Sequence, residues 1–156
     1  MKLSILICTL PEPFRDRELS CELFRKLTFQ SANKPVEIIY LGDNKSFTVG
    51  QKRNRLLFLA TGDRLAFVDD DDQISNNYID KMLEYCELDY DCVTIGVEMT
   101  ENTVNKKTYD YTYKKNINHR IKGKGIAGRM PDHLCLWKRF VAQRVEFPNR
   151  NLGLRS

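Results

Sequence analysis

Four consecutive aspartates, Asp69 to Asp72, are the residues of this chain whose type and spacing are best suited to chemistry. They directly follow the apolar run at residues 65–68, and a short run that contains phenylalanine and valine is typical of a buried strand. In open α/β sheets, ligands bind beside the carboxyl ends of the strands. We therefore expect the aspartates at a ligand-binding edge of a sheet.

Side chains alternate along an extended chain, so Asp69 and Asp71 are expected on one side, roughly 6.6 Å apart. Two charges at that distance repel by about 2.5 kcal/mol at an effective dielectric constant near 20, and a bound cation would offset this repulsion. Oxygen ligands favour Mg²⁺, Mn²⁺ or Ca²⁺, and Mg²⁺ is typically held by one or two carboxylates and substrate phosphates. Two interpretations stay open here, a metal–diphosphate site and a solvated acidic turn. An EF-hand does not fit, because Ile74 stands where its loop needs glycine.

The composition is that of an ordinary globular protein of one domain, residues 1–156. Hydrophobic residues make up 42% and charged residues 29% of the chain, and the net charge of +4 does not by itself argue for nucleic acid. The five cysteines are scattered and form no C-x-x-C, which predicts free thiols and a cytoplasmic protein. No apolar run is long enough to predict a transmembrane segment.

Alternating elements in the first part of the chain predict an α/β fold with a parallel sheet and right-handed crossovers. Apolar runs predict strands at 3–10, 36–41 and 65–68, and apolar residues at helical spacing predict helices at 16–29, 48–60 and 76–86. Thr48 is a candidate N-cap of the second helix. Further on, the sequence predicts a strand at 92–99, short strands around 108–113, a strand at 134–137 and a helix at 138–145.

The predicted strand ends converge on one edge, which is the arrangement of a nucleotide crevice. The first strand ends in Thr9, Leu10 and Pro11, and the second is followed by Asp43. Asp43 either hydrogen-bonds a base or ribose or is a plain turn residue. The chain contains neither G-x-G-x-x-G nor G-x-x-x-x-G-K-[ST], which argues against dinucleotide-binding and P-loop sites.

Two cations, Lys52 and Arg53, stand in the first turns of the second predicted helix. Cations there oppose the helix macrodipole, so they are favourable only with an anion nearby; otherwise they form a solvated charged face. His133 is either a third metal ligand, a contact of the phosphates or a structural residue. Residues 106–129 carry eight Lys/Arg and one acid, which fits a lid over phosphate, a solubilising loop or a docking surface for an anionic acceptor such as nucleic acid.

Several motifs in order resemble the family 2 glycosyltransferases with the GT-A fold, over nearly the whole chain. They are a first strand ending in Thr9-Leu10-Pro11, a second strand ending near Asp43, then G-x-K-R-N at 50–54, A-x-G-D at 60–63, F-V-D-D-D-D at 67–72, and P-D-H-L-x-x-x-K-R at 131–139 followed by Phe147-Pro148. The most specific part is the run from 60 to 72, in which helix end, strand and acidic cluster come in the family's order. The resemblance implies a Rossmann-like αβα sandwich with a mostly parallel central sheet.

The resemblance also implies an inverting transferase that uses a nucleotide-diphosphate sugar and Mn²⁺ or Mg²⁺. Asp71, Asp69 and His133 would be the metal ligands. The nucleotide-sugar-binding residues would be Thr9, Leu10, Pro11, Asp43, Lys52, Arg53, Asn54, Asp69 and Asp70.

The chain departs from the family pattern on the acceptor side. Members usually carry a later acidic motif whose aspartate is the general base, whereas no acid follows Glu146 here. Asp132 and Glu146 are substitutes without supporting context, so the catalytic base is unknown. We expect a donor-binding half at 1–100 and a partial acceptor-side half at 101–156. The alternatives in function are a nucleotide-sugar-binding module without catalysis, a nucleotidyltransferase, and a nucleic-acid-binding domain. The sequence motifs do not specify the acceptor, which is a saccharide, lipid, protein or nucleic acid, and they do not specify the oligomeric state.

Overall fold

The computed structural model describes residues 1–11, 17–101, 105–110, 126–128 and 134–151, with backbone only between 96 and 128. Four helices and eight strands occur in these ranges. In chain order they are β1 (Leu3–Thr9), α1 (Arg17–Ser31), β2 (Val36–Gly42), α2 (Val49–Leu59), β3 (Arg64–Phe67), α3 (Tyr78–Cys86), β4 (Cys92–Val93), β5 (Gly96–Glu101), β6 (Asn105–Asp110), β7 (Ile126–Gly128), β8 (Leu136–Lys138) and α4 (Arg139–Ala142).

The central sheet has the strand order β2-β1-β3-β8-β4. β1 pairs in parallel with β2 and with β3, while β8 is antiparallel to both of its neighbours. Four of its five strands therefore run in one direction, which confirms the predicted mostly parallel sheet. Among the described residues, β5, β6 and β7 form a separate three-stranded sheet.

The two-residue period of β1 supplies both faces of the sheet with core residues. Leu3, Ile5 and Ile7 pack in a cluster that contains the apolar faces of α1 and α3. Leu6 points to the opposite face, where it packs with Leu56 and neighbouring residues of α2. The layers are therefore helix, sheet and helix, as predicted for an αβα sandwich.

The beginning of α2 is fixed by a capping box, as the sequence suggested for Thr48. The Thr48 hydroxyl accepts from the Gln51 amide at 3.2 Å, and the Gln51 side chain accepts from the Thr48 amide at 2.9 Å. Such reciprocal bonds satisfy two amides that have no partner within the helix. The first turn of α2 thus has a defined position beside the sheet.

Two predicted elements are corrected by the structure. The single strand predicted at 92–99 is two strands, because Cys92–Val93 pairs with β8 whereas Gly96–Glu101 pairs with β6 of the other sheet. The helix predicted at 138–145 is shorter: after Ala142 the amides of Arg144 and Val145 bond three residues back instead of four, so the chain leaves the helix in tight turns.

At the amino ends of the strands, Glu37 of β2 accepts hydrogen bonds from three residues. Its Oε1 atom accepts from the Ser4 hydroxyl at 2.6 Å, the Thr61 amide at 2.6 Å, the Thr61 hydroxyl at 2.9 Å and the Gly62 amide at 3.1 Å. Burial alone would raise the pKa of the Glu37 carboxyl, but these hydrogen bonds outweigh it and lower the pKa below its usual value. The carboxylate thus ties β1 and β2 to the turn before β3.

No helix in the described ranges is long and apolar enough to cross a membrane. All five cysteines lie in those ranges, and none forms a disulfide.

Candidate functional site

The carboxyl ends of β1, β2 and β3 meet at one edge of the central sheet, as predicted. Thr9 ends β1 opposite Gly42 of β2, which Asp43 follows directly. The Thr9 hydroxyl donates to Oδ2 of Asp70 at 2.7 Å, so the end of β1 is bonded to the aspartates that follow β3. Asp70 is buried and therefore serves as an internal support of this edge.

Asp43 and Lys52 form a buried ion pair at the same edge. Their Oδ1 and Nζ atoms are 2.7 Å apart, and the side chains are 8% and 3% exposed. Lys52 also donates to the Thr9 carbonyl at 2.9 Å, and the Phe47 amide donates to Oδ2 of Asp43 at 2.7 Å. The pKa of the Asp43 carboxyl lies below its usual value. Burial alone would raise this pKa, but the hydrogen bonds from Lys52 and Phe47 lower it by more.

Arg53 is likewise buried, at 6% exposure. Its guanidinium carbon lies 5.8 Å from the Phe67 ring centroid and 5.5 Å from that of Phe147, and its Nη2 atom lies 3.3 Å from Oδ1 of Asp69. The possibility of a solvated charged face at Lys52 and Arg53 is therefore wrong. The anions that offset their charges are the protein's own Asp43 and Asp69.

A contact that sequence reasoning missed joins Asn54 to the segment of residues 147–151, called the 147–151 segment below. The Asn54 amide nitrogen donates to the Phe147 carbonyl at 2.9 Å, and the Phe147 amide donates to the Asn54 oxygen at 2.8 Å. Pro148 passes so close to α2 that a β-carbon on Gly50 would lie 2.0 Å from its carbonyl oxygen. The glycine at position 50 of G-x-K-R-N is the one sequence feature that indicates a close approach of another segment to α2. It does not indicate which segment that is.

The remaining aspartates face outward. Asp71 is exposed, and the side chain of Asp69 is 41% exposed beside Arg53. The Asp72 amide bonds back to the Asp69 carbonyl at 3.0 Å, which closes a tight turn. Within the described ranges, no group of three or more His, Cys, Asp or Glu is placed to hold a metal ion. The metal assignment to Asp71 and Asp69 therefore stays a prediction.

Other predicted site residues are only partly described. Leu10 is half-buried and Pro11 is exposed beyond the end of β1. His133 lies outside the described residues together with Pro131 and Asp132. So does most of the basic segment 106–129, whose described parts are strand backbone. Most of the predicted lid therefore lies outside the part of the chain that the structure describes.

Two further groups close to this edge keep their protons at neutral pH. Burial raises the pKa of Tyr40 to about 12, with a contribution from the charge of Asp70. Burial also raises the pKa of the Cys8 thiol to about 11, although Arg53 and Lys52 oppose the shift. Cys8 is therefore no thiolate nucleophile.

Comparison with known proteins identifies the family. Residues 23–145 match Glycosyl transferase family 2. The chain therefore belongs to the family 2 glycosyltransferases, as the order of its motifs suggested. No curated protein sequence matches it significantly.

Solved structures share the GT-A fold. S. aureus TarS matches at 14% identity and a TM-score of 0.56 over 96% of this chain and 31% of that one. S. aureus TarS 1-349 in complex with UDP-GlcNAc matches at 14% identity and a TM-score of 0.55, over 95% of this chain and 49% of that one. The bifunctional IspDF from Campylobacter jejuni matches at 11% identity and a TM-score of 0.51, over 92% of this chain and 42% of that one. The chain thus spans between about a third and a half of the length of these structures.

Proposed function

We propose that this chain binds a nucleotide-diphosphate sugar together with Mn²⁺ or Mg²⁺ and transfers the sugar to an acceptor hydroxyl. The observation that carries the proposal is the meeting of Thr9, Asp43 and the aspartates at 69–72 at one sheet edge in a member of this family. Ligands of open α/β sheets bind at such an edge.

The donor set suits a hard cation bound together with phosphate. Asp71 is exposed and Asp69 partly so, and carboxylate oxygens are the ligands that Mg²⁺ and Mn²⁺ prefer. Asp43 and Asp70 are engaged inside the protein, since Asp43 pairs with Lys52 and Asp70 accepts from Thr9. One or two protein carboxylates would therefore hold the metal, and the diphosphate would complete its ligand set.

The chain's own residues would bind and orient the donor. The ends of β1 and β2 would contact the base and ribose, with Asp43 held by Lys52 and by the Phe47 amide. Asp69, beside Arg53, would lie on the ribose side. Asp71 would hold the cation, which would supply electrostatic stabilisation of the departing diphosphate. We also place the protein in the cytoplasm, which its five free thiols favour.

Isothermal titration calorimetry of the purified chain tests the proposal. UDP, GDP and UDP-GlcNAc are titrated with and without Mn²⁺; UDP-GlcNAc is included because a TarS structure was solved with it. Binding of one nucleotide that requires Mn²⁺ supports the donor site and identifies the base. The absence of binding by every nucleotide tested would contradict the proposal.

Donor binding without transfer is the second candidate. Glu146 is exposed, while Asp132 lies outside the described ranges. Release of UDP from UDP-GlcNAc, measured with saccharide, lipid and protein acceptors, distinguishes the two candidates. Mn²⁺-dependent binding without any release would favour the binding module.

A further inference from the structure

The 147–151 segment is fastened to the first two turns of α2. Thr48 donates from its hydroxyl to Asn149 at 2.9 Å, and the Val49 amide donates to the Asn151 side chain at 3.0 Å. Together with the paired bonds between Asn54 and Phe147, these contacts fix the backbone of the segment along the helix. The position of the Phe147 ring is therefore determined by α2.

The Phe147 ring forms one wall around Arg53. It meets Phe67 edge to face, with ring centroids 5.6 Å apart, and the Arg53 guanidinium lies within 6 Å of both rings. Phe67 is the last residue of β3, so this wall cannot move without the sheet. Phe147, unlike Phe67, belongs to the 147–151 segment, which is distant from β3 in the sequence.

The guanidinium group that contacts Asp69 is the one that lies near both rings. At 3.3 Å the contact is longer than the 2.7–2.9 Å usual for a charge-assisted hydrogen bond, so this bond alone does not hold the guanidinium in its position beside Asp69. Asp69 is 41% exposed, and water competes for its oxygens. If one wall is removed, the guanidinium gains space to turn away from Asp69.

We propose that Phe147 is a positioning residue for the donor site, acting through Arg53 on the orientation of Asp69. The 147–151 segment thereby couples the region after α4 to the aspartates that follow β3. The effect on donor binding rests on the function proposed above. The positional coupling itself does not.

The test compares Phe147→Leu, which removes the ring, with Phe147→Tyr, which keeps it. Phe140→Leu is the matched control, because the Phe140 ring also lies under an arginine (Arg144, at 5.4 Å) but is itself exposed on α4. Urea unfolding establishes that each variant is folded. Mn²⁺-dependent UDP binding is then measured for each variant, alone and combined with Asp69→Asn.

We expect Phe147→Leu to weaken UDP binding about fivefold, the scale of one cation–π contact. Phe147→Tyr and Phe140→Leu should bind like the wild type, and Phe147→Leu should add nothing in the Asp69→Asn background. An equal loss in both backgrounds would show a general structural effect and overturn the proposal, as would unchanged binding by Phe147→Leu.

A second readout needs no nucleotide. The Arg53 Nε–Hε resonance should carry a ring-current shift and should move on Asp69→Asn in the wild type but not in Phe147→Leu. The same response in both proteins would overturn the coupling. If the wild type binds no nucleotide, the proposed function fails while this resonance still decides the positional coupling.

Discussion

The Nζ atom of Lys52 lies 2.7 Å from Oδ1 of Asp43 and 2.9 Å from the carbonyl oxygen of Thr9. One buried ammonium thus joins α2 to the ends of both β1 and β2. Removal of its charge would leave the Asp43 carboxylate buried beside a carbonyl. The two strand ends are already neighbours in the sheet, with Thr9 opposite Gly42, and Lys52 adds a charged bridge from α2 to both of them.

Replacement of Lys52 by methionine should lower the free energy of unfolding by about 3–5 kcal/mol, because it leaves a buried carboxylate uncompensated. Urea unfolding at pH 7 measures the loss. The double variant with Asp43→Asn should recover part of it, since the stranded charge is then absent. A loss below about 1 kcal/mol in the single variant would contradict the buried pair.

Replacement of Asp71 by asparagine should weaken Mn²⁺-dependent UDP binding at least about tenfold without loss of stability. The side chain is exposed, so the change removes a charge without creating a cavity. Calorimetry measures the binding. Asp63→Asn, an exposed aspartate before β3 at the other end of the sheet, is the control. Equal affinities of the Asp71 variant and the control would exclude Asp71 as a metal ligand.

Replacement of Gly50 by alanine should destabilise the protein by about 1–3 kcal/mol, because the new β-carbon would meet the Pro148 carbonyl at 2.0 Å. Glycine-to-alanine changes in helices otherwise stabilise by up to about 1 kcal/mol, so the sign is diagnostic. Thermal and urea unfolding measure it. A stabilised variant would show that the 147–151 segment does not pack on α2.

Replacement of Glu37 by glutamine should cost about 1–3 kcal/mol at pH 7, the scale of hydrogen bonds to a charged group. The folded-state pKa of Glu37 is lowered, so the carboxylate's contribution is fully present above the unfolded value near 4.5 and is lost as the pH falls below it. Urea unfolding of both proteins from pH 7 to pH 3 should show the difference shrinking in that acid range. A difference that does not vary with pH would refute the linkage.

The sequence predicted the first three strand–helix units because each apolar run has a single period and a clear boundary. It did not predict the division of the run at 92–99, because the partners of its two halves, β8 and β6, lie elsewhere in the chain. The edge position of Thr9, Asp43 and Asp69 followed from strand direction alone.

The interior of the site was less accessible to sequence reasoning. Lysine and arginine are mostly exposed, so no local pattern indicated that Lys52 and Arg53 are buried. Their burial depends on Asp43, Asp69 and Phe147, which lie up to about a hundred residues away. The motifs contained these residues but not their pairing.

The insertion of β8 between β3 and β4 also determines when the protein can fold during synthesis. Leu65 of β3 and Cys92 of β4 both pair with Trp137. Residue 137 must therefore be synthesised before β3 and β4 can be joined in the central sheet. Until then β3 presents an unpaired edge, of the kind that pairs with other chains, so slow synthesis between residues 68 and 136 should favour aggregation of the nascent protein.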